Sequence, residues 1–158
     1  MSAGELWVES YQGEVLGETL FGLLAARQED PVRRHELEVL TVLERATKEL
    51  AEPVLDARGL DRGDTAATVA SAETMADSVA GISWAQLLGS IEPVTVRFLA
   101  KYEELVRLSE DAAERSVAET YVAHERALAS FARRSLGEED GEPLERILAL
   151  PHVAAALG

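Results

Sequence analysis

The hydrophobic positions of the chain recur three and four residues apart, which is the spacing of an amphipathic α-helix. Alternating runs of β-branched residues bounded by turn residues, which would predict β-strands, are missing. Alanine, leucine, glutamate and arginine dominate the composition, and all four are strong helix formers. The pattern therefore predicts an all-α protein.

Residues typical of helix ends divide the chain into four long predicted helices. The signals are serine or aspartate as N-cap, proline in the first turn and glycine after the last turn. The long helices are predicted at about residues 2–27, 30–58, 83–108 and 109–136. A shorter segment at 65–79 connects the second to the third, and a short C-terminal helix begins at 142–143 and is interrupted at Pro151. Ser109 is the predicted N-cap of the fourth helix.

Two prolines fall inside predicted helices. Pro53 lies in the last turns of the second helix and is expected to bend or fray it, and Pro93 is expected to kink the third. Helices one and two are joined by a short connection, and so are three and four. The chain is thus predicted to be a single domain over 1–158, with two αα-hairpins forming a four-helix bundle over about 5–136 and a C-terminal extension over about 138–158.

Glutamate residues fall within the apolar face of every long predicted helix. A helix turns about 100° per residue, so the direction of each side chain follows from its position. The inward carboxylates are Glu14, Glu18, Glu36, Glu44, Glu92 and Glu125. Tyr11, Thr47 and His124 lie beside them. Because glutamate is almost never fully buried unless it is paired, this set forms the candidate site.

A short internal repeat links the second and fourth helices. Residues 44–46 read Glu-Arg-Ala, and residues 125–127 read the same. An inward glutamate precedes each repeat on the partner helix, Glu14 in the first half and Glu92 in the second, at similar separations. The two hairpins are therefore interpreted as divergent copies of one hairpin.

This arrangement resembles the ferritin-like superfamily, the carboxylate-bridged di-iron bundles, over the four long helices. Those proteins supply one Glu from each of two helices and Glu-x-x-His from each of the other two. The resemblance implies that Glu14 or Glu18 is the first lone ligand and that Glu92 is the second. It also implies that Glu44 and Glu125 begin the two Glu-x-x-His motifs.

The two histidine positions of those motifs hold other residues in this chain. Thr47 occupies the first and offers only a hydroxyl, and Leu128 occupies the second and offers no donor. Four carboxylates without imidazoles form an oxygen-only site, which favours Mn, Mg, Ca or Fe over Zn or Cu. The residues expected to surround these ligands are Glu36, Thr47, His124 and Tyr11.

Two functions remain open from the sequence. The first is a ferritin-like protein without a cofactor, or with a weakly bound divalent Fe or Mn, that serves as a small-ligand or protein binding or structural module. The second is a dimetal-carboxylate oxidoreductase that uses the inward glutamates, with tyrosines such as Tyr102 and Tyr121 in redox or hydrogen-bonding roles. Without a metal, buried carboxylates must protonate with a raised pKa or pair with a base such as Lys48.

The charge and the missing cysteine exclude several partners and chemistries. The chain has 15 Lys and Arg against 29 Asp and Glu, a net charge of −14, which argues against nucleic acid and against an anionic membrane surface. Without cysteine there is no disulfide, zinc-finger or iron–sulfur chemistry. The first residues lack the features of a signal peptide, so a cytoplasmic location is expected, and a homodimer is expected from base rates.

Overall fold

A computed structural model describes all 158 residues of the chain. Its regular elements are helices throughout, which confirms the predicted all-α class. No helix combines the length and the apolar character that crossing a membrane requires. The chain divides into two compact units, Met1–Ala80 and Gly81–Gly158, which we call the N-terminal unit and the C-terminal unit.

The N-terminal unit consists of helices α1 (Ala3–Arg27), α2 (Pro31–Ala57) and α3 (Thr65–Ser78). Helix α1 packs against both α2 and α3. The predicted caps are confirmed, because Ser2 and Glu5 form a capping box and the Asp30 side chain accepts a hydrogen bond from the backbone of Arg33. Helix α2 continues through Pro53 to its predicted end, where Gly59 adopts a φ of 65° that favours glycine.

The C-terminal unit consists of α4 (Trp84–Gly89), α5 (Ile91–Leu108), α6 (Ala112–Ser135), α7 (Glu145–Leu148) and α8 (Pro151–Leu157). The prediction of one kinked helix over 83–108 is wrong, since the chain breaks between α4 and α5 at Ser90. In a continuous helix the ring of Pro93 would clash with the carbonyl of Gly89, four residues earlier, and Gly89 is itself a weak helix former, so the two residues together favour a break. In the first turn of α5 the missing N–H of Pro93 is not needed, and the helix restarts there.

The start of α6 also differs from the prediction. Asp111, rather than Ser109, is the N-cap, and its carboxylate accepts a hydrogen bond from the backbone N–H of Glu114 at 2.8 Å. The Ser109 hydroxyl instead donates to the carbonyl of Leu105, at the end of α5. Serine and aspartate are N-caps of similar strength. Because the Ser109 hydroxyl already bonds to the end of α5, Asp111 becomes the N-cap of α6.

Each unit has its own apolar core. Fully buried side chains of the N-terminal unit include Trp7, Leu40, Leu43 and Leu55. Those of the C-terminal unit include Leu105, Phe131, Ile147, Tyr102 and Tyr121. The rings of Tyr102 and Tyr121 meet edge to face with centroids 4.9 Å apart, a favourable aromatic geometry that joins α5 to α6.

Candidate functional site: the carboxylates of the two hairpins

Two of the predicted carboxylates lie inside the N-terminal unit. Glu14 on α1 and Glu44 on α2 are 1% and 5% exposed, and Thr47 on α2 is fully buried. The carboxylate of Glu44 lies against α1 at Gly17, where an added Cβ would come within 2.5 Å of the Glu44 Cδ. Gly17 is therefore the residue that makes room for a buried carboxylate, a role that its spacing in the sequence did not disclose.

Glu18, the alternative to Glu14, is held in an ion pair. Its carboxylate accepts hydrogen bonds from the Arg45 Nε at 2.9 Å and the Lys48 Nζ at 2.5 Å, both on α2. Partial burial alone would raise the pKa of Glu18, but the hydrogen bonds from Lys48 and Arg45 outweigh it and hold the pKa below 4.5. Lys48, the base expected to pair with a buried carboxylate, thus pairs with Glu18.

The two remaining predicted neighbours in this unit have different surroundings. Glu36 on α2 is half-buried, and burial raises its pKa. Tyr11 on α1 is buried, and the guanidinium of Arg62 lies over its ring at 5.9 Å from the centroid. Arg62 belongs to the connection between α2 and α3, so Tyr11 is tied to that connection through a cation–π contact.

In the C-terminal unit, Glu125 and His124 lie together on α6. Glu125 is 6% exposed and His124 is fully buried, with the His124 Nε2 and the Glu125 Oε1 3.8 Å apart. Donor atoms bound to one tetrahedral metal ion at about 2.1 Å lie about 3.4 Å apart, which is close to this separation. Leu128, at the position of the missing histidine, is buried and supplies no donor.

Glu92, the predicted partner of Glu125, is 44% exposed and paired with an arginine. Its carboxylate accepts a hydrogen bond from the Arg133 Nη1 at 3.1 Å. Arg133 lies eight residues beyond Glu125 on α6, or about 12 Å along the helix axis. Both glutamates line a cavity of about 310 Å³ that Arg126, Arg133 and Arg146 also line. With three guanidinium groups against two carboxylates, the lining has an excess of positive charge, which opposes a metal cation and favours an anion.

The two units align residue by residue at a constant offset of 81. The capping boxes begin at Ser2 and Ser83, the aspartate N-caps are Asp30 and Asp111, and the Glu-Arg-Ala repeats begin at Glu44 and Glu125. The boundaries agree as well, since α1 spans 3–27 and the pair α4 and α5 spans 84–108. The two hairpins are therefore equivalent without a gap.

This alignment changes the assignment of the second lone glutamate. The counterpart of Glu14 is Thr95, which is buried to the same extent, and Glu92 is instead the counterpart of Tyr11. The Thr95 hydroxyl donates to the carbonyl of Glu92 on its own helix. The sequence contained the necessary signal, because the two predicted capping boxes already stand 81 residues apart.

The residues around Glu44 in the N-terminal hairpin differ in polarity or size from their equivalents in the C-terminal hairpin. In order, Glu14, Gly17, Glu18, Thr47 and Lys48 correspond to Thr95, Phe98, Leu99, Leu128 and Ala129. Among these interior positions, that of Glu44 keeps its carboxylate, as Glu125. Two further carboxylates of the set that the ferritin-like resemblance implies, Glu18 and Glu92, are paired with cationic side chains.

Comparison with known proteins adds no relative to this description. No protein-family description, no curated protein and no solved structure matches the chain. Its function must therefore be inferred from its own contacts, cavities and charges.

Proposed function

We propose that the chain is a ferritin-like helical protein whose carboxylate site has degenerated, and that it acts as a small-ligand binding module without a catalytic metal centre. The observation that carries this proposal is the equivalence of the two hairpins. Where the N-terminal hairpin has Glu14 and Thr47, the C-terminal one has Thr95 and Leu128. A dimetal site needs ligands from both halves, and among the equivalent interior positions of the two hairpins only that of Glu44 has a carboxylate in both, as Glu125.

The charges around the remaining carboxylates support the same conclusion. Glu18 accepts two hydrogen bonds from cationic side chains, and Glu92 accepts one. The cavity beside Glu125 has three arginines in its wall. A bound divalent cation would have to displace or tolerate these charges, each of which opposes it by Coulomb repulsion. The same charges suit a ligand that carries a negative group.

Metal loading tests this proposal. The purified full-length protein is incubated with Fe(II) without oxygen, or with Mn(II), passed through a desalting column, and analysed for bound metal. We expect much less than one metal ion per chain, and the same value for Glu44→Ala. Two ions per chain in the wild type, lost in Glu44→Ala, would overturn the proposal.

Replacement of a buried carboxylate gives a second test that does not depend on loading. If Glu125 binds no metal, Glu125→Leu removes a buried acidic group and replaces it with a side chain suited to the interior. The free energy of unfolding should then stay the same or rise, as measured by urea denaturation. A rise in stability on metal loading that the wild type shows and Glu125→Leu lacks would contradict the metal-free proposal.

A dimetal-carboxylate oxidoreductase is the second candidate, and one observation favours it. His124 and Glu125 are both buried, and their donor atoms are 3.8 Å apart, so one imidazole is retained although it lies one residue before Glu125. If this function is correct, His124→Ala should abolish metal binding in the loading experiment. This candidate is refuted if the wild type takes up no metal. It is also refuted if metal uptake is the same in His124→Ala as in the wild type.

A further inference from the structure

A groove on the C-terminal unit runs between α5, α6 and the chain that joins α7 to α8. It has a volume of about 650 Å³, within the range of small-molecule sites. Its apolar lining residues are Val106, Val122, Ala123, Ala127, Ala149 and Leu150. We call this the α5–α6 groove. The hydrocarbon part of a ligand would displace water from these apolar side chains, which favours binding.

Two arginines lie at one end of the groove, where Glu103 is also in the lining beside Arg126. Arg126 and Arg146 line the groove and also line the neighbouring cavity of about 310 Å³, so both residues lie where the two spaces meet. In a chain with a net charge of −14, paired guanidinium groups at an apolar groove are an unusual concentration of positive charge. A carboxylate is the ligand group that a guanidinium binds with two parallel hydrogen bonds.

The present partners of these arginines do not engage them fully. Arg126 meets Glu103 only at 3.5 Å, and both side chains are more than half exposed. Arg146 meets Glu139 at 3.3 Å, but Glu139 also accepts a hydrogen bond from the buried Ser130 hydroxyl at 2.6 Å and lies near two further arginines. A ligand can therefore take Arg146 without leaving Glu139 unpaired.

The opposite end of the groove is acidic. Glu119 lies seven residues before Arg126 on the same face of α6, about 10 Å away along the helix axis, with Val122 and Ala123 between them. A carboxylate head is repelled from Glu119 and attracted by Arg126. The charges at the two ends thus fix the direction in which an elongated anionic ligand lies.

We infer that the α5–α6 groove binds an amphipathic carboxylate of the medium-chain fatty-acid type, with its head at Arg126 and Arg146 and its hydrocarbon chain along Val122 towards Glu119. This inference deepens the proposed binding function and rests on it. Each additional methylene buried in the groove should raise the affinity about fourfold until the groove is filled.

Calorimetric titration of the full-length protein tests the inference, with octanoate, nonanoate and decanoate below their micelle concentrations as probes. We expect saturable binding that strengthens with chain length, and weaker binding of decylamine. Arg126→Gln and Arg146→Gln should each weaken decanoate binding about fivefold, the value of one exposed ion pair. Arg115→Gln, an exposed arginine on the same helix but outside the groove, is the matched control and should change nothing.

Several results would overturn the inference. They are the absence of saturable decanoate binding, decylamine binding as tight as decanoate binding, and equal affinities in Arg126→Gln and Arg115→Gln. Circular dichroism of each variant shows that the fold is retained. The failure of this inference is distinguishable from the failure of the proposed function, because metal content is measured separately. If the protein binds neither metal nor decanoate, the inference about the groove is refuted and the proposed function is not. If the protein binds metal after loading, the proposed function is refuted.

Discussion

The two hairpins of this chain have equivalent helix ends, but the buried residues around their equivalent glutamates differ in polarity. Around Glu44, the N-terminal hairpin buries Glu14 and Thr47, and Gly17 leaves room for the carboxylate. Around Glu125, the equivalent positions hold a threonine bonded to its own helix, a leucine and a phenylalanine. The comparison teaches that helix ends and capping residues can persist in a repeated hairpin while the chemistry in its interior is lost.

The arginine of the Glu-Arg-Ala repeat shows the same divergence. In the N-terminal hairpin, Arg45 bonds to Glu18 at 2.9 Å together with Lys48. In the C-terminal hairpin, Arg126 has only a distant and exposed contact with Glu103, and it lines a cavity and a groove. A residue that ties two helices together in one unit is thus placed to meet a ligand in the other.

The largest effects are expected in the aromatic core of the C-terminal unit. Tyr102→Ala should lower the free energy of unfolding by about 3–5 kcal/mol, because it removes a buried ring that packs on Tyr121. Phe21→Ala, at the equivalent buried position of the N-terminal unit, should cost a similar amount. Urea denaturation measures both, and a loss below about 1 kcal/mol at either position would break the equivalence of the two units.

A small substitution tests the special role of Gly17. Gly17→Ala should destabilise the protein by about 1–3 kcal/mol, because the new methyl group displaces the buried Glu44 carboxylate. Gly22→Ala, on the same helix with its nearest outside atom at 3.8 Å, should instead stabilise by about 0.5–1 kcal/mol through helix propensity. In a Glu44→Ala background, Gly17→Ala should lose its penalty, and a penalty that persists would refute the contact.

Acid should weaken the C-terminal unit through His152. Burial, together with the neighbouring His124, lowers the pKa of His152 to about 4. The unfolded chain takes up a proton near its ordinary value of 6.5, so stability is lost as the pH falls from 6.5 towards 4. The loss should be about 1 kcal/mol after allowance for solvent screening.

Variants of the two histidines check that effect. His152→Gln should flatten the pH dependence of the unfolding free energy between 7 and 5. His35→Gln, on the exposed face of α2, serves as the control. An unchanged slope in His152→Gln would show that another group is responsible for any acid sensitivity.

The ion pairs of the two repeat arginines should differ in strength. Glu18→Gln should cost about 0.5–1 kcal/mol near neutral pH, and Glu103→Gln should cost nearly nothing, since its pair with Arg126 is long and exposed. The lowered pKa of Glu18 means that its contribution is present above 4.5 and disappears as the pH falls through the folded value. Equal costs in the two variants would contradict the contrast between the hairpins.

A small effect of the opposite sign is expected at Glu36. Burial raises its pKa, so the charged form is disfavoured in the folded protein and stability declines as the pH rises from 4.5 through the folded value. Glu36→Gln should therefore stabilise the protein by about a few tenths of a kcal/mol near neutral pH, since the group is partly solvated. If Glu36→Gln instead lowers the stability in thermal denaturation, a partner must stabilise the ionised carboxylate of Glu36.

The sequence predicted the helices well because their ends depend on local chemistry. Ser2 with Glu5, Ser83 with Gln86, and Asp30 with Pro31 are caps that act within one turn, and all three begin helices as predicted. The two errors, the break at Ser90 and the cap at Asp111, arose where neighbouring residues compete for the same role.

The candidate site was less predictable because it depends on which helix faces which. A helical periodicity gives the direction of Glu92 but not the arginine opposite it, and Arg133 is 41 residues away in the sequence. Similarly, nothing local shows that Gly17 faces Glu44. The burial of Glu14, Glu44 and Glu125 was predicted, since a position inside an apolar face carries that information.

The proposed function requires that no metal centre holds these carboxylates. The most direct measurement is the thermal unfolding temperature of the wild-type protein with excess Mn(II), with anaerobic Fe(II) and with chelator. A metal that binds the folded state must raise this temperature, because it stabilises the folded state by mass action. We predict the same unfolding temperature in all three conditions. A rise of several degrees with either metal, reversed by chelator and absent from Glu44→Ala, would contradict the account.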